Sequence, residues 1–262
     1  MAELIEIGHD GNITTVLMNR PEKLNALTED MFVTMTQEIQ RASEDTAVRA
    51  VVIAGSSKAF SVGADIKGYV DDGLDAFVHF QRLGRAMNNA IAVAAVPVIA
   101  AVEGFALGGG FEIALACDFI VAGPNARFGL PEVKLGLLPG GGGTQRLPRI
   151  IGRQQAKALL FTGDTLDAQT ALEQGVVLAV AEDPRAAARQ LVRRFLQWPR
   201  RAIAAMKQAV NEASPLETGL ALEHQSLVAL YQSPEGQEGI RAFVEKRPPR
   251  FEAHRPSDQK RR

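Results

Sequence analysis

The sequence has little that would suit a secreted protein, a membrane protein or a nucleic-acid-binding protein. Cys117 is the only cysteine among 262 residues, so an internal disulfide is excluded and a reducing compartment is expected. Lys and Arg total 29 and Asp and Glu total 30, so the net charge of −1 creates no overall field for nucleic acid. The longest apolar run, residues 90–102, is too short to cross a bilayer. The N-terminal residues are acidic rather than basic, so we expect no export signal, no membrane partner and a cytoplasmic location.

Motifs for metal ions, nucleotides and nucleophilic serines are also absent. The four histidines are scattered and no HExxH or CxxC pattern occurs, so we expect no metal site. Neither GxxxxGK[ST] nor GxGxxG is present, which removes the common phosphate-binding loops. No GxSxG elbow occurs, and Cys117 lies inside an apolar run, as a small core residue does.

Strand and helix patterns alternate over the first three quarters of the chain. A hairpin is predicted around Asp10-Gly11, and buried strands are predicted at 50–55, 97–104, 118–123 and 176–180, with helices between them. This alternation favours an α/β fold with a parallel sheet covered by helices, although residues 56–73 show no regular pattern. Beyond Asp183 only helices are predicted, at 184–197, 200–213, 216–231 and 235–246. We therefore divide the chain into a core, residues 1–197, and a C-terminal helical region, residues 198–262, with the boundary near Trp198.

Two glycine-rich turns follow predicted strands. In GFALGGGFEIALACD (104–118), three glycines precede Glu112 and an apolar helix. A helix start exposes unpaired N–H groups, and glycine lets a ligand atom approach them closely. Glu112 would repel a permanent phosphate, so a transient oxyanion suits the site better. In AFSVGADIKG (59–68), Gly63 is placed in the same way, so Ala64 and Gly109 are candidates for a pair of N–H donors. The alternative is structural: a tight helix–sheet contact and an ordinary glycine turn.

A second carboxylate follows another backbone turn. Glu132 comes directly after Pro131, which is typical of the first position of a helix. The loop LLPGGGGTQRL (137–147) is interpreted as structural, with a substrate contact left open. Neither Glu112 nor Glu132 has an obvious basic partner in the sequence. Two carboxylates that face one water and one substrate carbon are what general acid–base addition requires.

Together these stretches resemble the crotonase superfamily, the enoyl-CoA hydratases and isomerases. The matching segments run in order over nearly the whole chain: NRPEKLNAL (19–27), AFSVGADIK (59–67), PVIAAVEGFALGGGFEIALACD (97–118), FGLPEVKLGLLPGGGGTQRLPR (128–149) and AFVEKRPPRF (242–251). The resemblance implies a crotonase-like α/β spiral of ββα units with a C-terminal all-helical oligomerisation region. It further implies a homotrimer or a dimer of trimers.

The resemblance also implies roles for individual residues. Ala64 and Gly109 match the two backbone donors that hold the thioester oxygen. Glu112 matches the hydratase glutamate that activates water, and Glu132 the one that protonates the alpha carbon. The acyl-CoA substrate would be bound by residues Lys23, Ala64, Asp65, Ile66, Lys67, Gly109, Phe243 and Lys246. Residues 68–88 would cover the acyl tail. No separate cofactor is implied, because coenzyme A is part of the substrate.

Two positions depart from the family pattern, and three other functions are weighed. Val62 replaces a common alanine, and Val96 stands where many members carry a lysine that could contact a coenzyme A phosphate. A double-bond isomerase needs only one carboxylate, so the presence of both glutamates favours a hydratase. An RNA-binding relative would use the basic C-terminal tail, but the balanced charge argues against it. A scaffold without catalysis would have little reason to keep both glutamates.

Overall fold

A six-stranded sheet is built mainly from short runs of β-branched and small apolar residues. The computed structural model describes residues 3–55, 58–196, 200–212, 228–229, 231–232 and 234–250. The sheet contains β1 (Ile5–Asp10), β2 (Ile13–Met18), β3 (Ala50–Ala54), β5 (Val98–Val102), β7 (Phe119–Ala122) and β10 (Ala179–Val180), in the order β1-β2-β3-β5-β7-β10. The predicted hairpin makes β1 and β2 antiparallel, and every other pairing in this sheet is parallel.

A second sheet of four short strands lies where the sequence predicts mostly irregular structure. Its strands are β4 (Ala59–Ser61), β6 (Phe105–Leu107), β8 (Arg127–Gly129) and β9 (Thr165–Asp167), in the order β4-β6-β8-β9. Each strand has three residues, too few for a period-two pattern to be recognised in the sequence. The predicted strand 176–180 is paired only at Ala179–Val180, so that prediction was too long.

Helices pack on both faces of the six-stranded sheet. They are α1 (Glu29–Glu44), α2 (Gly73–Val93), α3 (Gly109–Ala116), α4 (Gly143–Ile151), α5 (Arg153–Thr162), α6 (Ala168–Glu173), α7 (Pro184–Arg193), α8 (Arg200–Glu212) and α9 (Pro234–Val244). Within the described residues, 3₁₀ turns at Pro21–Lys23, Ile66–Gly68 and Pro131–Leu135 each lie between a strand and the next helix. The turn predicted at Pro131 is thus a 3₁₀ helix rather than an α-helix.

Alternation along each central strand sends neighbouring side chains into two cores. Val51 and Ile53 point into the larger core, which also contains side chains of α1, α2 and α3. Val52 and Ala54 point to the opposite face, where Ala188 and Val192 of α7 cover them. Burial on both faces explains why these strands are continuously apolar.

The C-terminal part of the chain is described only in segments. Helix α8 lies within the predicted helix 200–213, and α9 begins one residue before the predicted helix 235–246. No strand is found among the described residues after Val180. Trp198, the predicted domain boundary, and most of the predicted helix 216–231 lie outside the described residues. None of the helices within the described ranges combines the length and the apolarity that crossing a bilayer requires.

Candidate active site

One cavity of about 850 Å³ brings distant segments of the chain together. Its wall is formed by the loop that contains the first 3₁₀ turn, the β4–α2 connection, α2, the start of α3, the Pro131 turn, the glycine loop before α4 and the end of α9. Every residue that the sequence singled out for substrate or chemistry lines it, namely Lys23, Ala64, Asp65, Ile66, Lys67, Gly109, Glu112, Glu132, Phe243 and Lys246.

The two predicted N–H donors lie beside each other where two glycine turns touch. An ideal Cβ on Gly109 would lie 3.8 Å from Gly63 Cα and 3.9 Å from Ala64 N. An ideal Cβ on Gly63, whose φ is +93°, would lie 3.2 Å from Gly109 N. Because the two turns lie this close together, a side chain at Gly63 would crowd the backbone of the opposite turn. Within the described residues, neither Ala64 N–H nor Gly109 N–H donates a hydrogen bond, so both can serve a ligand oxygen.

The loop around the first 3₁₀ turn holds Ala64 in place. Leu27 and Ala64 form an isolated parallel bridge, in which Leu27 N donates to Gly63 O and Asp65 N donates to Leu27 O. The Arg20 guanidinium pairs with Asp65 at 2.7 Å through Nη1 and Oδ2. The Asp65 side chain therefore supports the paired glycine turns that carry the Ala64 and Gly109 N–H groups, which we call the oxyanion turn, while the resemblance assigned only the Asp65 backbone to coenzyme A.

Asn25 anchors the same loop to β4. Its backbone is left-handed, with φ +55°, and its side chain is fully buried. Asn25 Nδ2 donates to Ala59 O at 2.8 Å and to Phe60 O at 3.2 Å, while Ser61 Oγ donates to Asn25 O at 2.8 Å. A buried amide with these partners fixes the loop against the strand that leads to Ala64.

Glu112 lies in the first turn of α3 with only 4% of its surface exposed. Its Oε1 accepts hydrogen bonds from Gly141 N at 2.8 Å and Gly143 N at 2.9 Å. Burial raises the pKa of the Glu112 carboxyl, and these N–H groups, together with the nearby Arg146 charge, oppose the rise. A carboxyl in this environment is suited to taking up a proton.

The glycine loop before α4 therefore supports the carboxylate directly, a contact that the sequence did not predict. An ideal Cβ on Gly141 would lie 2.7 Å from Glu112 Oε2, and one on Gly143 would lie 3.1 Å from Oε1. Arg146, missed as a partner of Glu112, donates from Nη1 to Gly141 O at 2.9 Å. The sign in the sequence was the run of four glycines, because a Cβ at Gly141 or Gly143 would lie too close to the Glu112 carboxylate.

Glu132 approaches from the other side of the oxyanion turn. It is the second residue of the 3₁₀ turn Pro131–Leu135, and an ideal Cβ on Gly108 would lie 3.0 Å from Glu132 Oε1. Gly108 has φ +51° and immediately precedes the donor Gly109. The carboxylate thus lies next to the N–H pair, within the cavity that Glu112 also lines.

The cavity is lined by aromatic rings and by basic side chains. Phe32, Tyr69, Phe77 and Phe80 line it, and the Phe32–Phe80 and Tyr69–Phe80 ring centroids are 5.1 and 4.9 Å apart. Basic residues from separate segments also line it, namely Arg20, Lys23, Lys67, Arg85, Lys246 and Arg247. Within the described residues, no group of three or more His, Cys, Asp or Glu side chains is placed to hold a metal ion.

Val96, the second departure from the family pattern, does not line this cavity. Its side chain is completely buried in the larger core, and its carbonyl oxygen accepts a hydrogen bond from Lys207 Nζ at 3.2 Å. Val62, the first departure, does line the cavity next to Gly63.

Comparison with known proteins agrees with this arrangement. A probable enoyl-CoA hydratase of Mycobacterium bovis is 40% identical over 256 residues, covering 95% of this chain and 98% of that protein. The 2,3-dehydroadipyl-CoA hydratase of Escherichia coli is 37% identical, covering 96% and 99%. The crystal structure of an enoyl-CoA hydratase from Mycobacterium avium subsp. paratuberculosis matches with a TM-score of 0.86 at 32% identity, covering 96% of this chain and 100% of that one. The structural match confirms the predicted crotonase-type α/β fold. The family model described as enoyl-CoA hydratase/isomerase matches residues 8–254, and the chain belongs to this family.

Proposed function

We propose that the protein adds water across the double bond of a trans-2-enoyl-CoA to give a 3-hydroxyacyl-CoA. The observation that carries the proposal is the placement of Glu112 and Glu132, with the N–H groups of Ala64 and Gly109, around one cavity. Hydratase names among relatives at 36–40% identity support the same reaction class.

The proposed reaction uses the two carboxylates as base and acid. The Ala64 and Gly109 N–H groups donate to the thioester oxygen and make the beta carbon electrophilic. Glu112 takes a proton from water as the water oxygen bonds to the beta carbon. Glu132 delivers a proton to the alpha carbon, so charge and atoms balance. Each N–H donor is expected to stabilise the transition state by about 3–4 kcal/mol, by analogy with other oxyanion holes.

The lining of the cavity supports an acyl-CoA as the substrate. The basic side chains of the lining suit the phosphates of coenzyme A, and the aromatic rings suit an acyl tail. Lys23, Lys67, Ile66, Phe243 and Lys246 are proposed to bind coenzyme A, which enters as part of the substrate. No separate cofactor takes part in this scheme.

The first test mixes the purified protein with crotonyl-CoA and measures the loss of the conjugated enoyl-thioester absorbance. Glu112→Gln and Glu132→Gln are each expected to lower kcat by roughly 10²–10⁴-fold, because each removes one proton-transfer group. Binding of the saturated butyryl-CoA should be retained in both variants.

A different pattern would contradict the hydratase proposal. An unreactive wild type across short and long enoyl-CoAs, with butyryl-CoA still bound, would exclude hydration. Conversion of a 3-enoyl-CoA by that wild type would then identify an isomerase. Activity in Glu112→Gln close to that of the wild type would remove Glu112 from the mechanism.

We further propose that the chain assembles as a homotrimer or a dimer of trimers. Support comes from large apolar side chains on the surface of the described residues, including Val93 (79% exposed), Met206 (60%) and Val210 (74%). Val93 and Val210 belong to adjoining elements, because Asn211 Nδ2 of α8 donates to Ala92 O at 2.9 Å.

A further inference from the structure

A buried amide beside Glu112 has an acceptor atom that nothing in the described chain uses. Asn88, on α2, is 3% exposed and lines the cavity. Among the described residues, no group donates a hydrogen bond to its Oδ1. Leaving a buried polar atom unpaired is unfavourable, so a ligand that enters the cavity with a spare hydrogen-bond donor would stabilise the site.

The orientation of the amide is set by its other end. Asn88 Nδ2 donates to Gly141 O at 2.9 Å. A rotated amide would place Oδ1 against that carbonyl oxygen, and two acceptors would then face each other. Gly141 O also accepts from Arg146 Nη1 at 2.9 Å, so the loop does not depend on Asn88 alone. A role limited to holding the loop would therefore leave Oδ1 unexplained.

The Asn88 amide lies near Glu112 Oε2, the oxygen to which neither Gly141 N nor Gly143 N donates. Both loop N–H groups donate to Glu112 Oε1, whereas Oε2 lies on the side of Gly141 Cα. One point, the ideal Cβ position of Gly141, is 2.7 Å from Glu112 Oε2 and 2.8 Å from Asn88 Nδ2. The amide and the free side of the carboxylate thus border the same small space.

We propose that Asn88 Oδ1 accepts a hydrogen bond from the water that Glu112 activates, an inference that rests on the proposed hydration. The water donates one hydrogen to Glu112 and the other to Asn88, which turns an oxygen lone pair toward the beta carbon. As the C–O bond forms, the first proton passes to Glu112. The second hydrogen stays on the new hydroxyl group, still donated to Asn88. Asn88 thus fixes the direction of attack.

Three variants of the full-length protein test this role with crotonyl-CoA. Asn88→Leu keeps the approximate shape but has no acceptor, and kcat is expected to fall about 100-fold while KM changes less than threefold. Asn88→Asp keeps an acceptor oxygen but cannot donate to Gly141 O. Its kcat should be at least tenfold higher than that of Asn88→Leu. Its added negative charge should move the acid limb of the pH profile of kcat to higher pH.

Asn89→Leu, one residue along α2 and outside the cavity lining, is the matched control and should have the kcat of the wild type.

The controls separate this role from a structural one and from the proposed function itself. Butyryl-CoA binding and the thermal midpoint, measured for each variant, show whether the site and the fold survive. A kcat for Asn88→Leu within threefold of the wild type would overturn the proposal. An Asp variant no better than the Leu variant would assign Asn88 to loop support only. If Asn88→Leu does not fold, the kcat of Asn88→Asp relative to the wild type, expected within about tenfold, and the shift of its acid limb to higher pH decide the question. An inactive wild type would overturn the hydration proposal and this inference together.

Discussion

At the scale of single residues, the site depends as much on missing side chains as on present ones. Gly63, Gly108 and Gly109 let the oxyanion turn form, and Gly141 and Gly143 let backbone N–H groups reach Glu112. Burial and hydrogen bonding then act on the Glu112 carboxyl in opposite directions, and burial is the larger effect. Since the pKa is raised, activity that needs the ionised carboxylate should be lost at a higher pH than for an exposed glutamate.

Gly141→Ala tests the importance of this bare backbone. The added methyl would lie 2.7 Å from Glu112 Oε2 and 2.8 Å from Asn88 Nδ2, so the carboxylate must move. Gly141 is not among the glycines with positive φ, so alanine itself brings no backbone strain. We expect kcat to fall by about 10²-fold and unfolding to become easier by roughly 1–3 kcal/mol. Steady-state kinetics and denaturant unfolding measure both effects.

Gly8→Ala provides the control, because the nearest atom to its added methyl would be Thr15 Cβ at 3.8 Å. That variant should keep the kcat and stability of the wild type. A Gly141→Ala enzyme with an unchanged kcat would show that the position of the carboxylate tolerates a shift of this size.

At the scale of elements, the sequence predicted long segments well and short ones poorly. Strong periodicity located α1 and α2, and continuous apolar runs located β3 and β5 within a residue or two. The strands of the small sheet have three residues each and carry no pattern of their own. The support of Glu112 by a loop 29 residues away was also missed, because the run of four glycines does not reveal which distant side chain its N–H groups contact.

Helix α8 is tied to the core by a buried ion pair that suggests a prediction at this scale. Lys207 Nζ lies 2.8 Å from Asp118 Oδ2 and also donates to Ile91 O at 2.8 Å. Lys207→Met leaves the Asp118 carboxylate without its cation, and the free energy of unfolding should fall by about 3 kcal/mol. Burial raises the pKa of Asp118 although Lys207 lowers it, so without Lys207 the pKa should rise further. The deficit should then shrink as the pH falls and Asp118 takes up a proton.

Denaturant titrations of Lys207→Met at several pH values measure this effect. Lys157→Met, the same change at an exposed position on α5, should alter stability by less than about 0.5 kcal/mol. The double variant Lys207→Met/Asp118→Asn should recover part of the loss, since no buried charge remains. A Lys207→Met protein as stable as the wild type would show that the pair does not hold α8 in place.

At the scale of the whole molecule, the prediction concerns assembly. Light scattering after size-exclusion chromatography should give three or six times the chain mass of 28.2 kDa. Val210 on α8 is 74% exposed. If this surface is buried between copies, Val210→Glu should reduce the measured mass. Lys157→Glu, on α5, is a control for the effect of added charge. A wild-type mass of a single chain would contradict the assembly proposal.

The hydrogen bonds that hold Glu112 also have a consequence for how the protein gains activity as it folds. They join positions 29 and 31 residues apart, and the oxyanion turn joins Leu27 to Ala64. Closing loops of this length costs chain entropy before any contact can compensate for it, so these contacts form slowly. Helix α3 can form from local interactions long before its glutamate is held. During refolding, hydratase activity should therefore return after the far-ultraviolet circular dichroism signal has recovered, and the turnover rate would report the final step of assembly.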